Sequence, residues 1–185
     1  TKVGAGGAVC IFNDAATHLI VDVNGYYSPT ANFGALEPAR LLDTRTSAIA
    51  GVGGTASLVV ANRGGVPANA TAVTLNVTST GSLAGGFVTV YPCGTPRPNT
   101  SNVNFAPGST VANAVTTKVG AGGAVCLYSD AATHLIVDVN GYFASTASFG
   151  ALEPARLLDT RTSAIPAATI FLRTCLCRWR RTPCP

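Results

Sequence analysis

The feature that most constrains this chain is an internal duplication: Thr1–Ile49 recurs as Thr117–Ile165, offset by 116 residues, with seven mismatches in 49 positions. A period of 116 residues is too long for a solenoid, whose repeats run to roughly 20–50 residues, and suits a domain that buries its own core. The duplication divides the chain as follows. Residues 1–34 are a partial repeat carrying the C-terminal strands of a preceding unit, 35–150 are a complete unit, 151–165 begin a following one, and 166–185 form a divergent basic, Cys-rich tail. Because the chain begins inside a repeat and contains no Met, the expectation is a piece of a longer precursor, with any export signal upstream.

Within the period, apolar and polar residues alternate, as they must where a strand has one face in a core and one in water. Val73, Leu75 and Val77 alternate with Thr74, Asn76 and Thr78. Leu19, Val21 and Val23 follow the same rule, as do their counterparts Leu135, Val137 and Val139. Further runs at Ala8–Phe12, Ala56–Ala61, Gly86–Cys93, Asn102–Phe105 and Val111–Val119 bring the count to about seven per repeat, with Leu41–Thr44 an eighth candidate. Turn-forming pairs such as Asn13-Asp14, Asn24-Gly25, Gly64-Gly65 and Pro107-Gly108 separate them. No window sustains apolar residues at helical spacing. The expected fold is therefore all-β, an antiparallel two-sheet β-sandwich, Ig-like or jelly-roll-like, with a closed barrel as the alternative that shares this pattern.

Composition narrows the class further. With 47% hydrophobic and 11% charged residues, the chain has the material for a packed core rather than for disorder. Its net charge of +4 comes wholly from Arg173, Arg178, Arg180 and Arg181, so the body is neutral and carries no basic stripe for nucleic acid. No apolar stretch is long enough for a spanning helix. After Ile165 the second copy stops matching the first, and its Arg, Cys, Pro and Trp mixture suggests a frameshifted or artificially ended terminus.

Four segments together carry a resemblance: Glu37-Pro38-Ala39-Arg40-Leu41-Leu42-Asp43-Thr44-Arg45, Val73-Thr74-Leu75-Asn76-Val77-Thr78, Gly86-Phe87-Val88-Thr89-Val90-Tyr91-Pro92-Cys93 and His18-Leu19-Ile20-Val21-Asp22-Val23-Asn24-Gly25-Tyr26. As a set, spread over Thr1–Ile165, they resemble a tandem repeat module of large secreted or surface proteins of actinobacteria and related bacteria. The resemblance implies an accessory module, sometimes beside a hydrolase domain, and transfers no catalytic residue.

Candidate sites are few. Cys93 and Cys126 are candidates for a structural disulfide, with Cys10 and Cys93 as the alternative pair. Closing the 33 residues between Cys93 and Cys126 contributes about 3–4 kcal/mol in the chain-entropy picture. Either copy of the terminal strands could complete the central segment Ala50–Val115. The closure term favours the shorter route by roughly 0.8 kcal/mol, so the expectation is a Cys93–Cys126 bond, a free Cys10, and an N-terminal piece open to strand exchange with another chain.

His18 and Asp22, repeated as His134 and Asp138, invite a hydrolytic reading. Residues four apart on a strand lie roughly 13 Å from one another, however, so they are expected only to keep an outer face wet. Asp43 with Arg45, and Asp159 with Arg161, are expected to share a strand face and pin a neighbouring segment. Calcium is the rival cofactor, through Asp22, Asn24 and Asp43. Tyr26, Tyr27 and Tyr91 are candidates for a sugar-stacking face. Cys175, Cys177 and Cys184 lack zinc-finger spacing. The expected function is a non-enzymatic extracellular repeat module, a spacer, display or adhesion unit whose partners are neighbouring repeats; the alternative is a polysaccharide or cell-wall binding module beside a secreted hydrolase.

Overall fold

The computed structural model describes residues 2–16, 18–23, 25–28, 32–46, 54–145, 149–157, 159 and 161. The chain divides into two units, Thr1–Ala155 and Arg156–Pro185. The first holds eight strands among the described residues: β1 (Phe33–Asp43), β2 (Gly54–Val59), β3 (Ala70–Thr80), β4 (Gly86–Pro92), β5 (Val103–Phe105), β6 (Val111–Lys118), β7 (Ala124–Ser129) and β8 (His134–Ala144). They form two four-stranded sheets, ordered β1-β8-β3-β6 and β2-β7-β4-β5. Every pairing is antiparallel. The only helical pieces described are three short 3-10 turns, Ala5–Gly7, Thr44–Thr46 and Ala121–Gly123.

The alternation read from sequence becomes the wall of the core. In β3, Val73, Leu75 and Val77 are wholly buried, while Thr74, Asn76 and Thr78 are not. Val88 and Val90 of β4, Val125 and Leu127 of β7, and Leu135, Val137 and Val139 of β8 complete the same hydrophobic cluster, so the two sheets share one interior. Each such side chain contributes about 1.5–3 kcal/mol of burial. Two polar residues that reach this interior pair with each other: Ser79 and Thr133, both wholly buried, share a 2.7 Å hydroxyl–hydroxyl bond.

The eighth strand is longer than the sequence pattern suggests. β1 begins at Phe33, not Leu41, and its register against β8 slips between Ala35 and Ala39 and again between Arg40 and Leu42. These bulges break the period-two pattern. Pro38, which cannot donate to a ladder, is tolerated because β1 lies at a sheet edge. Glycine is required where β1 meets β8. The Phe33 ring covers Gly141 and the Tyr142 ring covers Gly34, and a Cβ at either glycine would collide with the ring above it.

The first copy of the duplicated sequence does not repeat this structure. Ala8–Phe12 and the described part of His18–Tyr26 form no strand. Leu19, Val21 and Val23 are 54%, 67% and 88% exposed, whereas Leu135, Val137 and Val139 are 0% exposed. The physical reason is a shortage of partners: β2, β3 and β4 can be completed by one copy only, and β7 and β8 occupy those places.

Candidate functional site

The densest polar cluster lies where β1 ends. Asp43 accepts two charge-assisted bonds from Arg45, at 2.9 Å from Nε and 2.6 Å from Nη2, and a third at 3.1 Å from the Arg45 backbone N–H. The Arg45 side chain, then its backbone N–H, holds the Asp43 carboxyl well below the ordinary carboxylate range. Arg40 donates to Asp43 at 2.9 Å and also to Asp138 on β8. It stands directly opposite Asp138 in the β1–β8 register, and that bond is the leading cause of its raised pKa.

Thr44 adds two links to the start of β8. Its hydroxyl accepts the Leu135 N–H at 2.8 Å and lies 3.3 Å from His134 Nδ1. Arg63 closes the arrangement from the far side, donating to the Leu41 carbonyl of β1 at 2.8 Å and to the Val59 carbonyl of β2 at 3.1 Å, and so ties the two sheets together.

Several expectations change here. Asp43 and Arg45 do not share a strand face, because the chain leaves β1 at Asp43 and Arg45 sits in the Thr44–Thr46 turn. Their bracket is closed on itself, and it is Arg40 that crosses to the neighbouring strand. His134 and Asp138 do more than wet an outer face, since both are bonded to β1 or the turn after it. Sequence reasoning could not pair Arg40 with Asp138, which lie 98 residues apart. The same bracket recurs in the second unit, where Arg161 donates to Asp159 at 3.0 and 2.7 Å and Arg156 at 2.8 Å.

Cys93 and Cys126 form a disulfide, with Cα atoms 5.0 Å apart, and Cys10 is free and exposed. The three tyrosines do not form one face. Tyr26 and Tyr27 are 90% and 62% exposed in the N-terminal segment, whereas Tyr91 is 6% exposed on β4. Tyr91 is thereby withdrawn as a stacking surface. The chain after β4 folds back along this strand: Thr89 donates to the Thr100 carbonyl, and Asn102 Oδ1 accepts the Val90 N–H at 2.7 Å. Of the calcium candidates, Asn24 lies outside the described residues, and Asp43 is committed to two arginines. Among the described residues no group of three His, Cys, Asp or Glu side chains could hold a metal ion. Cys175, Cys177, Cys184 and the arginines of the tail lie outside the described residues.

Two aromatic groupings were not foreseen. Arg97 lies over the Tyr128 ring at 4.2 Å, with Phe87 6.1 Å from Tyr128. Separately, Tyr27 stacks on Phe33 at 4.3 Å, Phe33 meets Phe143 at 5.0 Å, and Phe143 stacks on Phe149 at 4.1 Å. The repeat offset of 116 residues, applied to Tyr27 and Phe33, could have pointed to the second grouping. No helix among the described residues is long and apolar enough to cross a membrane. No family model matches the chain, and no curated protein matches it in sequence.

Proposed function

We propose that this chain is built from a non-enzymatic extracellular module, an Ig-like or jelly-roll-like sandwich repeated every 116 residues, which is secreted or held at a bacterial surface and serves to display. Of the three structural roles, spacing, display and adhesion, display is the one favoured by the position of the module's ends. The carrying observation is that Phe33, the first residue of β1, pairs with Phe143, near the end of β8. A module that enters and leaves at the same place adds little length to an array and holds the rest of its body, with its loops, out to one side.

The magnitudes separate display from spacing. A strand of 11 residues is about 36 Å long, so sandwiches joined through opposite ends advance by at least that per repeat, plus linker. Adjacent ends limit the advance to the linker from Ala144 to Phe149, roughly 17 Å when extended, plus the ring contact. Small-angle scattering from arrays of two and four repeats measures this advance. A maximum dimension growing by 50 Å or so per repeat, about the sum of strand and linker, refutes display and restores the spacer.

Polysaccharide or cell-wall binding is the second reading, supported by Arg97 and Tyr128 beside Phe87. A pull-down on insoluble polysaccharide tests it: retention lost in Tyr128→Ala but kept in Tyr26→Ala establishes the binding module in place of display alone. The Cys93–Cys126 bond supports an oxidising, extracytoplasmic setting. Screening for esterase, protease and glycosidase turnover tests the non-enzymatic reading, and activity abolished by His18→Ala overturns it.

A further inference from the structure

The four rings at the ends of the module are arranged in a way that local packing alone does not require. Tyr27 and Phe143 occupy the same place in the two copies, near the end of the last strand sequence, and Phe33 and Phe149 occupy the same place at the start of the next. In each copy the trailing ring stacks on the leading ring six positions later. Tyr27 and Phe33 lie 4.3 Å apart at 27°, and Phe143 and Phe149 lie 4.1 Å apart at 21°. Position 27 differs from its counterpart 143, yet the exchange is Tyr for Phe, which keeps the ring. Within the complete module, the leading ring Phe33 and the trailing ring Phe143 are cross-strand partners 5.0 Å apart. Tyr27 also meets Phe143 edge-on at 6.2 Å.

We propose that Tyr27, Phe33, Phe143 and Phe149 are one stretch of a continuous aromatic spine that fastens each repeat to the next. Because the trailing ring of one repeat stacks on the leading ring of its successor, and the leading and trailing rings of each repeat touch across β1 and β8, the pattern extends without interruption through an array. The partner is the neighbouring repeat of the same protein. The spine turns a chain of independently mobile domains into one whose junctions are pinned. The inference rests on the repeat-module reading and supplies the means by which displayed modules keep a fixed relation to their neighbours. Stacked and edge-to-face rings are attractive beyond the area they bury.

The full chain contains both junctions, so the test needs no dissection. Tyr27 lies outside the strands, and its replacement leaves the folded body intact. In Tyr27→Ala, 15N relaxation should show the backbone of residues 25–28 falling from near-rigid order parameters, about 0.85, to below roughly 0.6. The Phe33 ring protons should move downfield as the shielding ring is lost, and Tyr27→Phe should restore both. Tyr26→Ala, a ring one position away and 90% exposed, should change neither. In Phe149→Ala the same losses should appear at residues 149–155 and in the Phe143 ring. Equal behaviour of Tyr26→Ala and Tyr27→Ala, or order parameters already below 0.6 in the unaltered chain, overturns the spine. Those outcomes leave the display reading standing, whereas polysaccharide retention would displace that reading without touching the ring measurements.

Discussion

The N-terminal segment and strands β7 and β8 have almost the same sequence and different structures, and the difference separates what short-range chemistry determines from what the sheet determines. Some features form in both copies. The Gly-rich turn is one: Gly6 and Gly122 have φ/ψ of 67°/16° and 68°/16°, and Gly4 and Gly120 donate to Ala8 and Ala124 at 2.8 and 2.9 Å. The arginine bracket is another, present at Asp43 and at Asp159. These involve residues within four positions of one another. Among the described residues, the strands equivalent to β7 and β8 form in one copy only, because a strand's backbone and apolar face are satisfied by neighbours far away in sequence. The copies compete for one set of central strands, and the shorter loop wins.

That competition gives the largest expected effect. In a double variant, Leu19→Ala with Leu135→Ala, whichever copy is seated leaves a cavity, and urea unfolding should show a loss of about 2–5 kcal/mol. Leu19→Ala alone should cost less than about 0.5 kcal/mol. Leu135→Ala alone, measured in a thiol–disulfide redox buffer that lets Cys93 exchange Cys126 for Cys10, should cost little more than the closure difference of roughly 0.8 kcal/mol, since the intact N-terminal copy can replace the damaged one. A full loss from Leu135→Ala alone would break the comparison by showing that the copies are not interchangeable.

The disulfide offers a chemical record of the same exchange. With Cys10→Ser and Cys126→Ser together, the crosslink should vanish, with about 3–4 kcal/mol of stability. With Cys126→Ser alone, peptide mapping under non-reducing conditions should recover a Cys10–Cys93 bond. Finding Cys93 free instead would mean that the first copy cannot reach the place of β7.

Smaller effects sharpen the distinction between short- and long-range structure. Arg40→Ala removes the bond to Asp138 but leaves Arg45 on Asp43, and should cost less than about 1 kcal/mol, as partly exposed ion pairs do. Thermal unfolding of the variant, with and without 0.5 M salt, checks this. A loss of several kcal/mol would make the cluster a pillar of the fold rather than a fastening at its edge.

The smallest effect is acid titration. Because Asp43 has a lowered folded pKa, its contribution is complete above the unfolded value near 3.9 and fades as the pH falls below it. Stability should therefore be flat from pH 5 to 8 as far as this group is concerned. Carboxyl NMR should show Asp43 and Asp159 titrating alike, both below the ordinary range. A normal titration at Asp159 alone would mean that its bracket is not the self-contained unit seen at Asp43.

Much of the architecture was legible because β3, β4 and β8 each have one face in the core, which writes a period of two into Val73–Val77 and Leu135–Val139. β1 was not, since its bulges between Ala35 and Ala39 and beyond Arg40 erase that period at the very residues that meet β8. Tyr91 was misplaced for a related reason: alternation tells which face a residue is on, not whether a later stretch of chain returns to cover it. The Arg40–Asp138 bond and the ring cluster depend on register between distant strands, which residue types alone do not carry. The disulfide was legible, because two candidate pairs differed in loop length and the shorter is the one formed.

The side-by-side ends of β1 and β8 also govern how the module meets mechanical load. Tension applied at Phe33 and Phe143 acts across the ladder rather than along it, so it opens the β1–β8 bonds one after another, like a zipper, instead of shearing them together. The rings take the first load, the ladder from Gly34 to Ala39 follows, and the Arg40–Asp138 bond comes after it. Once β1 is peeled away, the chain lengthens until it reaches the Cys93–Cys126 crosslink, which withholds the 33 residues it spans. A domain loaded in this way would yield early and stop at a covalent limit, absorbing a pull instead of transmitting it.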